Sequence, residues 1–587
     1  DGLVAYIGEE WNTSLDNQLR DILARKEHED FNDLVQDYPK LVGQSVWFYI
    51  NQNYGKATVS NLLYLTRINR SIESGFLYVL GSSYQRTSAA CLGYFEERYE
   101  AEAKNMTQPE GTKVDISNKR KLPLTQVKIS PDGRKISYVS NEIGKYKVYV
   151  QDIATGDRKV VLKGGFKNAF QETDYNYPMV AWNPNNLELA VLFEKRDVPK
   201  LMLYDLTTKK SVTEDLSTQY HRVYSMEYIN AFNLVFSATV RGFSDIFIYK
   251  TKTRQTERIT NDFYDDLDAA YVAVKGRRGI LFSSNRLDEN LTKMKMDTVL
   301  PLNNFDIYYY DLIDRSTELV RVTNTPYINE RRSMSIDSTW FAYLSDESGL
   351  YNRQTAYLDS IIAFYEQHIT LKDGSEIVLH EDSTLTMLDT AQIVSIDLEP
   401  VYKLKAFSHT ASNFDRSIIT QSTARRSDKS VDVFYKNGQH HVYLYKPNPE
   451  NRVKAEGTHF KEKRDKQLNI DETNGLNESS NEKDKSVFEI QVEIEGEDLL
   501  EEAPIVEEEP QPEGYLFQSE FDDEEEEENT PVKTEPTIVQ DDNDVVIPTP
   551  AYVQQEDGAD SYNLHRFRSS RIIPYRLKLE LILLRLN

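Results

Sequence analysis

The 587 residues are enough for two or three domains, and 39% hydrophobic content with 37 tyrosines supplies real cores. The formal charge of −26 disfavours nucleic acid as a partner, because phosphate binding needs lysine and arginine. A single cysteine, Cys91, excludes an intrachain disulfide, which fits the cytoplasm and equally a bacterial envelope protein that folds without bridges, and no apolar run is long enough for a membrane-spanning helix.

Residues 1–104 carry helical periodicity. Leu15, Leu19, Ile22 and Leu23 recur on one face, followed by Val42, Val46, Tyr49 and Ile50, then Val59, Leu62, Leu63 and Ile68, then Ala90, Tyr94 and Tyr99, with Gly55, Gly75 and Gly81 as punctuation. This pattern predicts an all-α module of several short helices. Its opening residues, Asp1, Gly2, Leu3, Val4, Ala5 and Tyr6, together with 43–55, resemble the region after the zinc-binding helix of gluzincin metallopeptidases. The resemblance implies that Asp1 stands at the position of the third zinc ligand. Two histidines at i and i+4 and a glutamate base complete such a site, and the sequence lacks that pair: His28 and Glu29 are followed by Asp30, Phe31 and Asn32. Zinc is therefore expected only if a His-Glu-x-x-His helix lies upstream of Asp1, and no other cofactor is expected. The plain reading of Asp1 is a carboxylate favoured by a helix N-terminus.

Residues 105–121 are polar and read as a linker, with Lys119, Arg120 and Lys121 as a small basic face. Beyond them Ser130, Pro131, Asp132 and Gly133 form a turn signal between alternating apolar runs, answered by an aromatic strand that ends in Asp152. The unit recurs about every 50 residues. Its copies are 122–165; 180–205, with Asn183, Pro184, Asn185 and Asn186 in the tetrad position; 226–249; 270–311; 333–351; and a weak sixth, with 412–416, 417–421 and a closing strand at 441–445. Six copies in one register predict a six-bladed β-propeller, whose blades bury their faces only against one another. The units resemble the TolB-like propeller repeat over 122–447, a repeat found also in prolyl-oligopeptidase-type enzymes. A serine peptidase would need Gly-x-Ser-x-Gly, and Gly43, Gln44, Ser45, Val46 and Trp47 begin that pattern without completing it. His440 and His441 are adjacent, so a strand points them to opposite faces and they do not chelate one metal; edge-strand polarity accounts for them.

Residues 448–571 are rich in acid and proline, with the block 522–528 at the extreme, and read as disordered. Within them Tyr515, Phe517 and Phe521 form either a short docking motif that orders on binding or a local cluster without a partner. Residues 572–587 alternate as a strand would after Pro574 and Tyr575. In envelope proteins of similar arrangement an outer-membrane barrel starts at such a point, and we expect truncation at both ends of this chain. One strand makes no barrel, so these residues either open a longer barrel or pair with the propeller.

The expected fold class is thus multidomain α plus all-β: a helical module, a six-bladed propeller and a disordered acidic segment. The expected function is a non-catalytic interaction scaffold of the bacterial cell envelope, on its periplasmic side or associated with the outer membrane. It would bind a protein or peptide, and no nucleic acid, through the propeller, in envelope integrity or transport. The alternative is the remnant of a zinc metallopeptidase.

Overall fold

The computed structural model describes residues 2–466, save 10, 29, 171–172, 197, 292–303, 381–391 and 456. Seven helices come first: α1 (Gly2–Gly8), α2 (Thr13–Arg25), α3 (Phe31–Asp37), α4 (Pro39–Tyr54), α5 (Lys56–Asn69), α6 (Ile72–Leu80) and α7 (Tyr84–Ala103). Their boundaries follow local chemistry. The Asn12 side chain accepts from the backbone N–H groups of Ser14 and Leu15 and caps α2, and Asp30, Ser71 and Ser83 cap α3, α6 and α7 in the same way. The periodic residues Leu19, Ile22, Val42, Val46, Val59 and Leu62 meet Trp11, Phe48, Phe76, Cys91 and Phe95 in one core. Burial pushes the Cys91 thiol up to about 12, so it is an inert core residue. Gly2 and Gly43 let α1 and α4 approach closely: a Cβ on Gly2 would lie 2.4 Å from the backbone of Gly43.

Six antiparallel sheets follow among the described residues. Blade 1 comprises Leu124–Ile129, Lys135–Glu142, Lys145–Asp152 and Arg158–Gly164; blade 2, Met179–Trp182, Glu188–Lys195, Val198–Asp205 and Ser211–Asp215; blade 3, Arg222–Asn230, Asn233–Val240, Phe243–Lys250 and Gln255–Arg258. Blade 4 comprises Asp266–Val274, Arg277–Ser284, Asp306–Asp311 and Val320–Arg321. The first strand of each sheet touches that of the next, and the first strand of blade 6 returns to that of blade 1, which closes the ring. Apolar side chains of neighbouring blades interleave: Val180 and Trp182 of blade 2 pack with Val139 and Val148 of blade 1, and Val235 and Ile246 of blade 3 with Ile280 and Phe282 of blade 4.

The turn tetrad does what its residues imply. Asp132 accepts from Ser130 Oγ at 2.6 Å and from the Arg134 N–H at 3.1 Å, and Gly133 holds φ at +69°. The recurrent aspartate at the end of the third strand has a separate role. Asp152, Asp205 and Asp311 each accept two backbone N–H groups from the turn that follows, at 2.8–3.2 Å, and so close the third-to-fourth-strand hairpin.

Blades 5 and 6 depart from the expected register. Blade 6 consists of Ile418–Thr423, Ser430–Lys436 and Gln439–Tyr445, so the run expected as its second strand is its first. Its fourth strand is Thr112–Lys113, which pairs with Leu444 and Tyr443. The stretch 105–121 therefore contributes the strand that fastens the ring, and it buries Val114 beside Val433 and Val442. His441 consequently lies on a strand paired on both sides and is 8% exposed, which corrects its reading as an edge residue. In blade 5, Glu330–Ser335 and Phe341–Ser345 precede two long strands, Asn352–Leu371 and Ile393–Thr410, which pair from Gln354–Thr410 to Leu371–Ile393. Their bases complete the blade, where Trp340, Tyr357, Phe407 and His409 stack, and their outer halves join Glu376–His380 in an arm.

Candidate binding chamber and axial channel

The helical module sits over one mouth of the propeller, held by backbone groups of blade 6 and its entry loop. Asn17 Oδ1 accepts from the Ser417 N–H at 3.1 Å. The two Asp21 oxygens accept from the N–H groups of Asn437 and Gly438 at 2.8 and 3.0 Å. The chain then returns from blade 6 to the same seam. The Thr458 N–H donates to Ser348 O at 3.2 Å, the His459 N–H donates to Glu102 Oε1 at 3.0 Å, Phe460 packs into the helical core, and Arg464 pairs with Asp346 at 2.7 Å. Behind this seam a network of buried charge braces the module: Asp16 receives Trp11 Nε1 and Tyr99 OH at 3.1 and 3.0 Å and pairs with Arg98, while Arg20 pairs with Glu102.

Between module and propeller lies a chamber of about 1000 Å³. Leu15, Ile22 and Leu41 form its helical wall, and Leu344, Tyr351 and Ile418 are among the apolar groups opposite. Its polar groups converge from both sides. Gln44 is fully buried, donates Nε2 to Glu9 O at 2.8 Å, and leaves Oε1 without a partner. His440 is pushed down to about 4 by burial and then by His441, and its Nδ1 accepts the Leu124 N–H at 3.4 Å, so it stays neutral at physiological pH.

A second, smaller cavity follows the chamber along the inner strands. Arg331 and Arg332 of blade 5 line the chamber, whereas the next residues of that strand, Ser333, Met334 and Ser335, line this second cavity of about 60 Å³. Blades 1 and 6 repeat the order, with Thr125 then Lys128, and Ile419 then Gln421. Bulges in the innermost strands aim these side chains. Register shifts fall between Thr125 and Lys128, Leu267 and Ala270, and Arg331 and Met334, where Gln126, Asp268 and Arg332 hold φ at +50°, +55° and +56°. Arg331 Nε donates to Asp268 Oδ2 at 2.6 Å and stacks on Phe305; Arg425 pairs with Glu227 and stacks on Tyr271.

A carboxylate cluster lies elsewhere, between blades 3 and 4. Oxygens of Asp245, Asp262 and Asp266 fall within 4.8 Å of one another, all buried. Arg286 bonds Asp262 and Asp266 at 2.7–3.1 Å, and Arg258 pairs with Asp245. These guanidinium groups occupy the position a cation would take, so the cluster is read as a blade-to-blade lock. Burial, opposed by Arg258, pushes the Asp245 carboxyl up to about 7.

Of the residues singled out by sequence, Asp1 lies outside the described residues, as do Tyr515, Phe517 and Phe521. Sequence reasoning did not find Arg331 or Arg332; a pair of adjacent arginines on an inner strand was the available signal.

No family model matches the chain. It is 28% identical over 155 residues to the Tol-Pal system protein TolB of Helicobacter hepaticus, a match covering 26% of this chain and 34% of that protein. It is 54% identical over 39 residues to TolB of Xylella fastidiosa, covering 7% and 9%. The chain thus spans about a third or less of the curated relatives it matches. Among solved structures, TolB from Acinetobacter baumannii superposes with a TM-score of 0.31 at 16% identity, covering 55% of this chain and 66% of that one. The β-propeller domain of the trilobed protease from Pyrococcus furiosus gives 0.30 at 10%, covering 56% and 99%. No described helix is long and apolar enough to cross a membrane. The six sheets closed in a ring form a β-propeller, and part of the chain is similar in sequence to TolB.

Proposed function

We propose that the chain is a non-catalytic interaction scaffold of the bacterial cell envelope that binds a protein or peptide through its propeller. The chamber carries this reading: it is apolar over much of its wall, has a few convergent polar groups, and is followed along the inner strands of blades 1, 5 and 6 by a second cavity. The relatives named for the Tol-Pal system support an envelope setting and a role in integrity or transport. Outer-membrane association would come from a barrel beyond the present sequence, and the aromatic residues Tyr515, Phe517 and Phe521 would supply a second docking point. The test is photo-crosslinking in an envelope fraction with a crosslinking residue in place of Tyr351. Cross-links to a discrete partner, lost when excess unlabelled protein is added, are expected. Absence of any cross-linked protein, with stoichiometric zinc and peptide cleavage in the extended protein, would replace this reading with the peptidase one and give Asp1 its ligand role. Replacing Tyr515, Phe517 and Phe521 by Ala is expected to lose one partner from a pull-down; unchanged recovery would discard the docking motif.

A further inference from the structure

The charges along the axis do not cancel. Lys128, Arg331, Arg332 and Arg425 face Glu227 and Asp268. Asp268 is taken by Arg331 and Glu227 by Arg425. Among the described residues the side chains of Arg332 and Lys128 make neither an ion pair nor a hydrogen bond; Arg332 is exposed to the chamber, and Lys128 is half-buried. The two sit at successive depths. Arg332 is open to the chamber, while Lys128 lines the narrower cavity beyond it. In a chain of net charge −26, two uncompensated cations on the axis are a local inversion of sign.

Geometry then limits the ligand. A single small carboxylate reaches one cation and leaves the other unmet. A helix, about 10 Å across, is too wide to bring side chains to both levels, whereas an extended chain lying in the chamber, advancing about 3.3 Å per residue, sets one carboxylate on Arg332 and sends another side chain into the cavity of about 60 Å³ beside Lys128. Resting on the scaffold reading above, we propose that the axial channel takes an extended acidic segment of a partner polypeptide, which enters from the chamber and sets carboxylates against Arg332 and then Lys128.

Fluorescence anisotropy on the full chain tests this with a labelled synthetic peptide of about eight residues in which Glu alternates with Gly. Binding at low salt that weakens as salt rises is expected, with Arg332→Gln and Lys128→Gln each costing about fivefold or more and the double variant losing binding. Arg332→Lys should stay within about threefold of the parent, and Lys210→Gln, on the outer rim, should change nothing. If a glutamine variant fails to fold, the peptide itself reads the answer: a Gln–Gly peptide of equal length should not bind, and free glutamate should compete only weakly. Equal affinity for the Gln–Gly peptide, full competition by free glutamate, or tight binding of inorganic polyphosphate with none of the Glu peptide would overturn the proposal. A natural partner captured equally well by Arg332→Gln and Lys128→Gln would overturn the channel assignment and leave the scaffold reading standing.

Discussion

Replacing Asp21 by Ala is expected to loosen the helical module from the propeller and so to open the chamber. Asn437 and Gly438 form the two-residue turn between the second and third strands of blade 6, with φ at +53° and +71°. Both turn N–H groups point away from the hairpin and meet the carboxylate of Asp21, which is 6% exposed and lies 3.4 Å from Arg25 and 3.9 Å from Arg416. Two hydrogen bonds to a charged acceptor are worth about 1.5–3 kcal/mol each. Water can reach the turn once the carboxylate is gone, because Asn437 is otherwise exposed, and Arg25 and Arg416 keep Glu27 and Asp415 as partners. The net loss should therefore be about 2–4 kcal/mol, with Asn at this position losing about half of that. Urea unfolding gives the magnitude, and amide hydrogen exchange gives the location: protection at Asn437 and Gly438 should fall in the variant while protection in the strands of blade 3 holds. Unchanged exchange at the two turn amides, with a loss under about 0.5 kcal/mol, would refute the view that Asp21 fastens the module.

Two further substitutions test the ring. Arg353, 7% exposed, bonds both oxygens of Asp432 and donates Nε to Gln421 Oε1 at 3.0 Å, joining blade 5 to blade 6; Arg353→Ala leaves Asp432 buried and unpaired and should cost about 3–5 kcal/mol in denaturant titration. Asp245 binds its proton in the fold up to about 7, while an ordinary aspartate releases it near 3.8. Between those values the native state holds more protons than the unfolded chain, so this group's contribution to stability falls as pH rises through that window and is level above it. Calorimetric melting of Asp245→Asn against the parent should show a shallower decline of melting temperature across the window, and parallel curves would count against the assignment.

The legible parts of this fold are those whose cause is local. The tetrad at Ser130–Gly133 and the aspartates at 152, 205 and 311 act within their own hairpins, so the sequence displays them where they occur, in blades 1, 2 and 4. Helix caps and the apolar faces of the module are local for the same reason. Blade 6 obscured its register because its fourth strand, Thr112–Lys113, lies more than 300 residues from the strand it pairs with, and no periodicity reports pairing at that range. The arm of blade 5 was missed because the repeat anticipates short strands, whereas alternation simply continues through Asn352–Leu371.

The chamber illustrates a different limit, since no segment contains it. Arg331 and Arg332 are adjacent, and an unbulged strand would send them to opposite faces. A positive φ at Arg332 breaks that alternation, so that both side chains line the chamber, one bonded to Asp268 and the other open. The same device at Gln126 precedes Lys128. Bulges of this kind weaken the ladder locally and leave residues unpaired, so their recurrence on the innermost strands is hard to explain as a packing solution alone. It is accounted for if the inner strands must present side chains to the axis, and the helical module, anchored by Asp21 and Asn17, encloses the space into which they point.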